Sequence, residues 1–305
     1  TGTGRGVSGG GPVELHAAYE ECGRIVRASA SSFHQAFRLL PAERRRSLEA
    51  LYAYCRVVDD AADDGGDAQA QVAWWREELS RVLAGTPTHP VGVALADSLQ
   101  RFAIPPQHLV EILDGMAMDL VPQRFATFAD LRRYCYHVAA AVGLATIPIF
   151  GCRDPQSLVY AEALGIALQL TNIVRDLAED AERGRVYLPL EDLQRFGYSE
   201  RDLVTHTQND AFRALIAFEC ARARELYAAA RAALTPTDRR ALAPAEGMRL
   251  VYQRVLGTIA ARPEAVFGPQ VRLPRWQKVG LAGLAWLRTR IPSAPAVTTR
   301  QESPA

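Results

Sequence analysis

No apolar run in the sequence approaches the ~20 residues that a membrane-spanning helix needs. The longest candidate, residues 138–151, is shorter and contains Gly143 and Pro148. No secretory signal is visible. The five cysteines are scattered, odd in number and without C-x-x-C spacing, which disfavours a disulfide framework or a zinc site and is typical of a reducing compartment. We therefore expect a cytoplasmic protein.

An excess of charge of either sign is also missing. The 35 basic and 34 acidic residues leave a net charge of +1, so nothing indicates nucleic-acid binding. Strand-type alternation and repeats of fixed period are nearly absent, and no E-x-x-H motif supports a di-iron bundle. Helical periodicity predicts an all-α protein of about eight to ten helices in a single domain, residues 13–291, with a flexible leader (1–12) and a disordered tail (292–305).

The first candidate functional element is the helix predicted for residues 47–64, a run without Gly or Pro. At 3.6 residues per turn, Tyr52, Arg56, Asp59 and Asp63 share one face. Like charges one turn apart repel by ~0.2–0.5 kcal/mol on an exposed helix, and the helix dipole adds to that cost. A divalent cation bound by oxygen ligands would neutralise them, although a solvated acidic helix end explains this segment equally well by itself.

A second polar stripe favours metal binding over a solvated helix end. Gln169, Asn172, Asp176 and Asp180 follow at steps of three, four and four, which places them along one face of a single predicted helix. Leucine, isoleucine and valine occupy its other sides, so the stripe is expected to face a cavity or another polar surface. We expect the two stripes to face each other across a pocket and to hold metal ions between them.

Arg183 and Arg185 follow the second stripe directly, either as a lid over anionic ligands or as neutralising charges for the helix end. Mg²⁺ binds few protein ligands and shares the rest with phosphate, so acidic faces beside arginines indicate a diphosphate substrate. Loss of diphosphate from carbon would leave a cation, which needs a dry cavity with aromatic walls. The aromatic residues available are Phe33, Tyr52, Tyr134, Tyr136 and Tyr252. Metal-triggered ionisation of an allylic diphosphate fits this combination.

Residues 29–276 resemble the head-to-head prenyl synthases, the family of squalene, dehydrosqualene and phytoene synthases. The resemblance implies an isoprenoid-synthase-type helical bundle around a central cavity. It rests on five motifs: S-S-F at 31–33, Y-A-Y-C-R-V-V-D-D-A-A-D-D at 52–64, Y-C-Y-H-V-A-A-A-V-G at 134–143, Q-L-T-N-I-V-R-D-L-A-E-D at 169–180 and G-R-V-Y-L-P at 184–189.

The resemblance also implies roles for single residues. Mg²⁺, with Mn²⁺ as a substitute, is expected to bridge two helices, while two arginines contact diphosphate or brace the acids. The expected metal ligands are Asp59, Asp63, Asn172, Asp176 and Asp180, and the arginines are Arg56 and Arg175. The residues expected to line the site are Ser32, Phe33, Tyr52, Tyr134, Gln169 and Tyr252.

One position departs from the family pattern. A basic residue is expected before the V-x-L of residues 271–273, but Gln270 stands there. Arg272 or Arg275 is expected to take over the contact with substrate.

The residue pattern of segments 31–46, 112–120 and 271–278 is similar to that of bacterial presqualene diphosphate synthases of hopanoid pathways. The resulting hypothesis is Mg²⁺-dependent coupling of two farnesyl diphosphates to presqualene diphosphate, without NADPH and with a diphosphate oxygen as the base. The alternatives are a phytoene synthase that couples two geranylgeranyl diphosphates, a squalene or dehydrosqualene synthase, and a non-catalytic homologue acting as an assembly or lipid-binding factor.

The segment that ends near Ile291 contains Trp276, Trp286 and several basic residues. It either contacts a bilayer surface peripherally or packs its apolar side onto the bundle. Prenyl diphosphates are the expected partners, together with downstream enzymes of the isoprenoid pathway.

Overall fold

The computed structural model describes residues 14–29, 40–63 and 67–290, and the side chain of Asp63 is outside this description. Within these residues the chain forms α-helices and one isolated β-bridge between Arg124 and Val186, which confirms the all-α prediction. The predicted leader and tail, and the candidate residues Ser32 and Phe33, lie outside the described residues. The helices are α1 (Leu15–Ala28), α2 (Ala42–Asp63), α3 (Ala68–Ala84), α4 (Pro90–Phe102), α5 (Pro106–Met118), α6 (Phe128–Cys135), α7 (Ala141–Phe150), α8 (Gln156–Arg175), α9 (Leu177–Glu182), α10 (Leu190–Phe196), α11 (Glu200–Val204), α12 (Asp210–Ala233), α13 (Ala243–Ala261) and α14 (Arg275–Arg290).

Helix α2 forms one wall of the bundle. Its apolar face buries Leu48, Leu51 and Val58 almost completely. The hydroxyl of Tyr54, also buried, donates a hydrogen bond of 3.0 Å to the Leu109 carbonyl of α5. This packing against α1, α3, α4 and α5 fixes which side of α2 is left for the polar stripe.

Helix α8 is the central helix of the bundle and packs against α7 and α12. By length and composition it is the one described helix that could cross a membrane, but 67% of its most apolar window is buried inside the protein. A Cβ atom on Gly165 would lie 2.6 Å from the Cα of Ala140, so only glycine permits this close approach. The backbones of α8 and of the segment around Ala140 are therefore closely packed.

The helical pattern is interrupted at two places. A π-helical turn, Tyr136–Ala140, separates α6 from α7. The second stripe is likewise broken at Asp176 (φ −97°, ψ 11°), so Asp180 belongs to α9 and the prediction of a single helix was wrong. Hydrogen bonds from the Asp176 amide to Asn172 and from the Asp180 amide to Asp176 bridge the break, which keeps the polar side chains in sequence along one side.

Candidate active site

A cavity of about 270 Å³ lies between α2, the π turn, α7, α8 and α13. Its walls are apolar over most of their area, as a site that must keep water from a carbocation requires. Side chains of both α2 and α8 line it. Apolar residues along the walls include Leu51, Val142, Ile147, Phe150, Leu164 and Leu168.

Polar side chains gather at one part of this cavity. Tyr52 of α2, Gln169 and Asn172 of α8 and Tyr252 of α13 all line it. Tyr252 also hydrogen-bonds to Arg175 and lies near enough to Tyr52 for the two groups to interact electrostatically. The structure therefore brings together four residues that the sequence assigned to one site.

The acids follow one helical turn beyond the cavity wall. Cys55 lines the cavity and Asp59 lies four residues later on α2. Asn172 lines the cavity and Asp176 ends the same helix four residues later. On each helix, the carboxylates therefore lie one turn beyond the residues that line the apolar cavity.

Asp176 is held by three donated hydrogen bonds. Arg175 donates from Nε to Oδ1 (2.8 Å) and from its terminal nitrogen to Oδ2 (2.5 Å). Gln270 donates from Nε2 to Oδ1 (2.5 Å). Both side chains of the ion pair are only 20% exposed. Burial by itself would lower the pKa of Arg175, but its bonds to Asp176 and Tyr252 raise it, so the guanidinium remains charged.

Asp180 lies in a less favourable environment. Burial, followed by the charge of Asp176, raises the pKa of Asp180 to about 7, and Arg185 and Arg183 oppose the rise only partly. Arg183 itself pairs with Glu179 at 2.8 Å. Of the two interpretations of Arg183, the structure therefore favours neutralisation of the helix end.

The stripe on α2 is more solvated. Arg56 contacts Asp59 at 3.2 Å and Asp60 at 2.5 Å, and all three side chains are 44–57% exposed. Asp63 continues this helix for one more turn. Water screens these charges, so their mutual energies are smaller than those around Asp176.

Sequence reasoning missed the role of Gln270 and the position of Lys278. The Nε of Arg272 donates to Gln270 Oε1 (2.5 Å), and Gln270 in turn donates to Asp176, so Arg272 is linked to Asp176 through Gln270. Burial and the nearby charges of Arg272, Arg175 and Arg275 lower the pKa of Lys278. A cluster of cations therefore surrounds the position where the family pattern has its basic residue.

Tyr134 is not among the cavity-lining residues. It is 3% exposed and donates from its hydroxyl to both oxygens of Asp119, at 3.0 and 3.1 Å. The Tyr187 hydroxyl donates to the same carboxylate at 3.1 Å, and the two rings stack at 5.3 Å. Asp119 and Tyr187 lie within motifs that the sequence singled out, but no spacing rule connects them to Tyr134.

The donor set fits a Mg²⁺ ion shared with a phosphate ligand. Asn172 Oδ1 is buried without a hydrogen-bond partner, while its Nδ2 donates to Gln169 Oε1 at 3.2 Å. An unpaired buried acceptor costs about 1–3 kcal/mol, a cost that a bound cation would remove. Among the described residues, no three Asp, Glu, His or Cys side chains form a metal centre of their own. Oxygen ligands from a diphosphate would have to complete the coordination.

Several curated relatives that are 32–37% identical to this chain are named phytoene synthases. One is the 15-cis-phytoene synthase of Synechococcus elongatus, which is 36% identical over 91% of this chain and 95% of its own length. This finding corrects the hypothesis that the product is presqualene diphosphate. Three short segments indicated that product, but likeness along nearly the whole chain favours the phytoene synthase alternative.

Solved structures of two enzymes share the fold. A dehydrosqualene synthase in complex with a ligand aligns with a TM-score of 0.81 and 29% identity over 90% of this chain and 98% of its own. The squalene synthase HpnC from Alicyclobacillus acidocaldarius aligns with a TM-score of 0.74 and 31% identity over 85% of this chain and 97% of its own.

The family model described as squalene/phytoene synthase matches residues 26–277. That range covers α2, α8, α9 and α13, and hence every cavity-lining residue described above. Members of the family act on prenyl diphosphates. The chain therefore belongs to the squalene/phytoene synthase family and is a prenyltransferase of isoprenoid biosynthesis.

Proposed function

We propose that the chain couples two molecules of geranylgeranyl diphosphate head to head to form phytoene. The observation that carries this proposal is the likeness to phytoene synthases over about nine-tenths of the chain. The apolar cavity with its polar end supports it, because the reaction needs a diphosphate site beside a dry chamber.

The reaction balances without a reductant. The C1–O bond and one C1–H bond of each substrate break, a carbon–carbon double bond forms between the two C1 atoms, and two diphosphates and two protons leave. NADPH is therefore not required. A diphosphate oxygen is the proposed acceptor for the protons, since no described side chain in the cavity is a general base.

Different residues of this chain bind diphosphate, stabilise the carbocation and exclude water. Arg175, Arg272 and Lys278 provide positive charge for diphosphate, and Gln270 holds the Asp176 carboxylate in place. Tyr52 and Tyr252 place aromatic faces at the polar end of the cavity, where they stabilise positive charge on carbon. The apolar walls exclude the water that would quench that carbon.

Asp59, Asp63, Asn172, Asp176 and Asp180 are the proposed ligands of Mg²⁺, or of Mn²⁺ in its place. When bound there, the metal neutralises the leaving diphosphate. The pair of carboxylate-bearing helices fits this role because oxygen ligands suit hard cations.

Product analysis tests the proposal. The purified chain is incubated with geranylgeranyl diphosphate and Mg²⁺, without NADPH, and in parallel with farnesyl diphosphate, and extracts are analysed by liquid chromatography and mass spectrometry. We expect phytoene from the first substrate and no product once EDTA is added. Coupling of farnesyl diphosphate alone would contradict the proposal, and no product from either substrate would support a non-catalytic homologue. The cytoplasmic location and contact with downstream enzymes stay predictions.

A further inference from the structure

Helix α14 presents large apolar side chains to solvent. Trp276 is 73% exposed, Val279 59%, Trp286 39% and Leu287 54%. At 100° per residue these four side chains lie within about 100° of one another around the helix axis. They form one continuous outward face, called here the α14 apolar face.

The opposite side of α14 carries the contacts with the bundle and is made of small residues. Ala285 and Thr289 are its buried side chains, at 1% and 4% exposure. A Cβ atom on Gly247 of α13 would lie 3.5 Å from the Cα of Ala282, so the two helices pack closely through small side chains. The usual arrangement of an amphipathic helix on a globular protein is therefore reversed. Most of the large apolar side chains of α14 are exposed within the described protein, whereas Leu281 is partly buried.

The charges on α14 are all of one sign. Residues 275–290 contain Arg275, Lys278, Arg288 and Arg290 and no Asp or Glu. The guanidinium of Arg290 lies 4.0 Å above the Trp286 ring, at the edge of the apolar face. Tryptophan beside arginine is typical of segments that lie in the headgroup region of a membrane.

We propose that the α14 apolar face docks this protein peripherally on a bilayer that contains anionic phospholipid. Charge complementarity favours lipid over a second copy of the chain. Two α14 helices face to face would bring two sets of four cations together without acidic counter-charges, whereas anionic headgroups attract each Lys or Arg near the surface.

The same helix links the surface to the site. Lys278 lies on the inward side of α14, within the electrostatic reach of Arg175 and Arg272, whereas Trp276 points outward. Docking would thus hold the polar end of the cavity close to the lipid surface. Release of a water-insoluble hydrocarbon into the bilayer would follow, a consequence that rests on the proposed function, whereas the docking itself does not.

Co-sedimentation of the full chain with vesicles tests the proposal in the absence of substrate. We compare vesicles of phosphatidylcholine alone with vesicles of phosphatidylcholine and phosphatidylglycerol. We expect binding to the anionic vesicles that weakens as salt is added. The double variant Arg288→Glu/Arg290→Glu should bind at least about tenfold more weakly, and Trp276→Ser/Leu287→Ser should lose most binding to both vesicle types.

Matched controls make the same changes on other helices. Arg231→Glu/Arg254→Glu changes exposed arginines of α12 and α13, and Val159→Ser/Val204→Ser changes exposed apolar residues of α8 and α11. Both should bind vesicles like the unmodified chain, and thermal unfolding checks that every variant is folded. Equal binding by the α14 variants and the controls would overturn the proposal, and so would the absence of vesicle binding. A dimer that is detected by light scattering and lost in Trp276→Ser/Leu287→Ser, without lipid binding, would identify a second copy as the occupant instead. None of these results depends on catalytic activity.

Discussion

The two acidic stripes have similar spacing in the sequence but differ in their surroundings. On α2, the side chains of Arg56, Asp59 and Asp60 are 44–57% exposed, and Arg56 forms solvated ion pairs with both acids. At the end of α8, Arg175 and Asp176 are 20% exposed and are joined by Gln270, Arg272 and Tyr252. Electrostatic energies grow as the effective dielectric constant falls. The α8 stripe therefore has stronger fixed interactions, and the α2 stripe is free to adjust to a bound ligand.

Replacing Asp176 should cause the largest loss of activity. Asp176→Asn removes a carboxylate from the buried stripe and leaves the Arg175 charge without its partner. We expect turnover to fall by about 10³-fold and by less in Asp59→Asn, because the α2 stripe is solvated. The measurement is the rate of product formation from labelled geranylgeranyl diphosphate. The control is Asp60→Asn, which changes an exposed acid outside the stripe, and equal losses in Asp60→Asn and Asp176→Asn would show that burial has no bearing.

Replacing Asn172 should have opposite effects on stability and on activity. Asn172→Leu removes the buried Oδ1 that has no partner, so the free energy of unfolding without metal should rise by about 1 kcal/mol, while turnover should fall by about 10²-fold. Urea unfolding and the product assay measure the two effects. The adjacent Thr171 is the matched control, since its hydroxyl is buried but bonded to Ala167 and Tyr227. Thr171→Val should lower stability, and a loss of stability in Asn172→Leu as well would contradict a ligand role for the unpaired oxygen.

Gln270 joins the buried stripe to the cations around Lys278, so the charge at this position should affect activity. Gln270→Glu places a negative charge against Asp176 and should lower kcat/KM about tenfold by like-charge repulsion. Gln270→Lys retains a donor and adds the charge expected in the family, so its kcat/KM should remain near that of the unmodified chain. Gln277→Glu adds the same charge on α14 as a control. A kcat/KM of Gln270→Glu equal to that of Gln277→Glu would contradict this role of Gln270.

The smallest expected effect is on the pH dependence of stability in EDTA. The pKa of Asp180 rises from 3.8 to about 7 on folding, mainly because of burial. Between these values the folded protein retains a proton that the unfolded chain has lost, so stability present at low pH falls as pH rises through about 7. Asp180→Asn should show a shallower fall in urea unfolding. An unchanged slope would mean that the burial of Asp180 costs no stability.

Much of the site could be predicted because helical spacing is a local property. Helical spacing placed Tyr52, Gln169 and Asn172 on polar faces, the family resemblance added Tyr252, and all four line one cavity. The break at Asp176 was not predictable, since Leu177 and its neighbours continue the helical pattern. Tyr134 was placed at the site by its motif, yet its hydroxyl lies on Asp119 in a separate aromatic cluster.

The all-α class and the polar faces of α2 and α8 followed from periodicity and residue type, and the family followed from the resemblance of five motifs. Three features came from helix packing alone: one stripe is buried and the other solvated, Gln270 reaches Asp176 across 94 positions, and most of the large apolar residues of α14 point outward. The physical reason is that burial and long-range contacts depend on how helices pack, and no spacing along one helix specifies its neighbours.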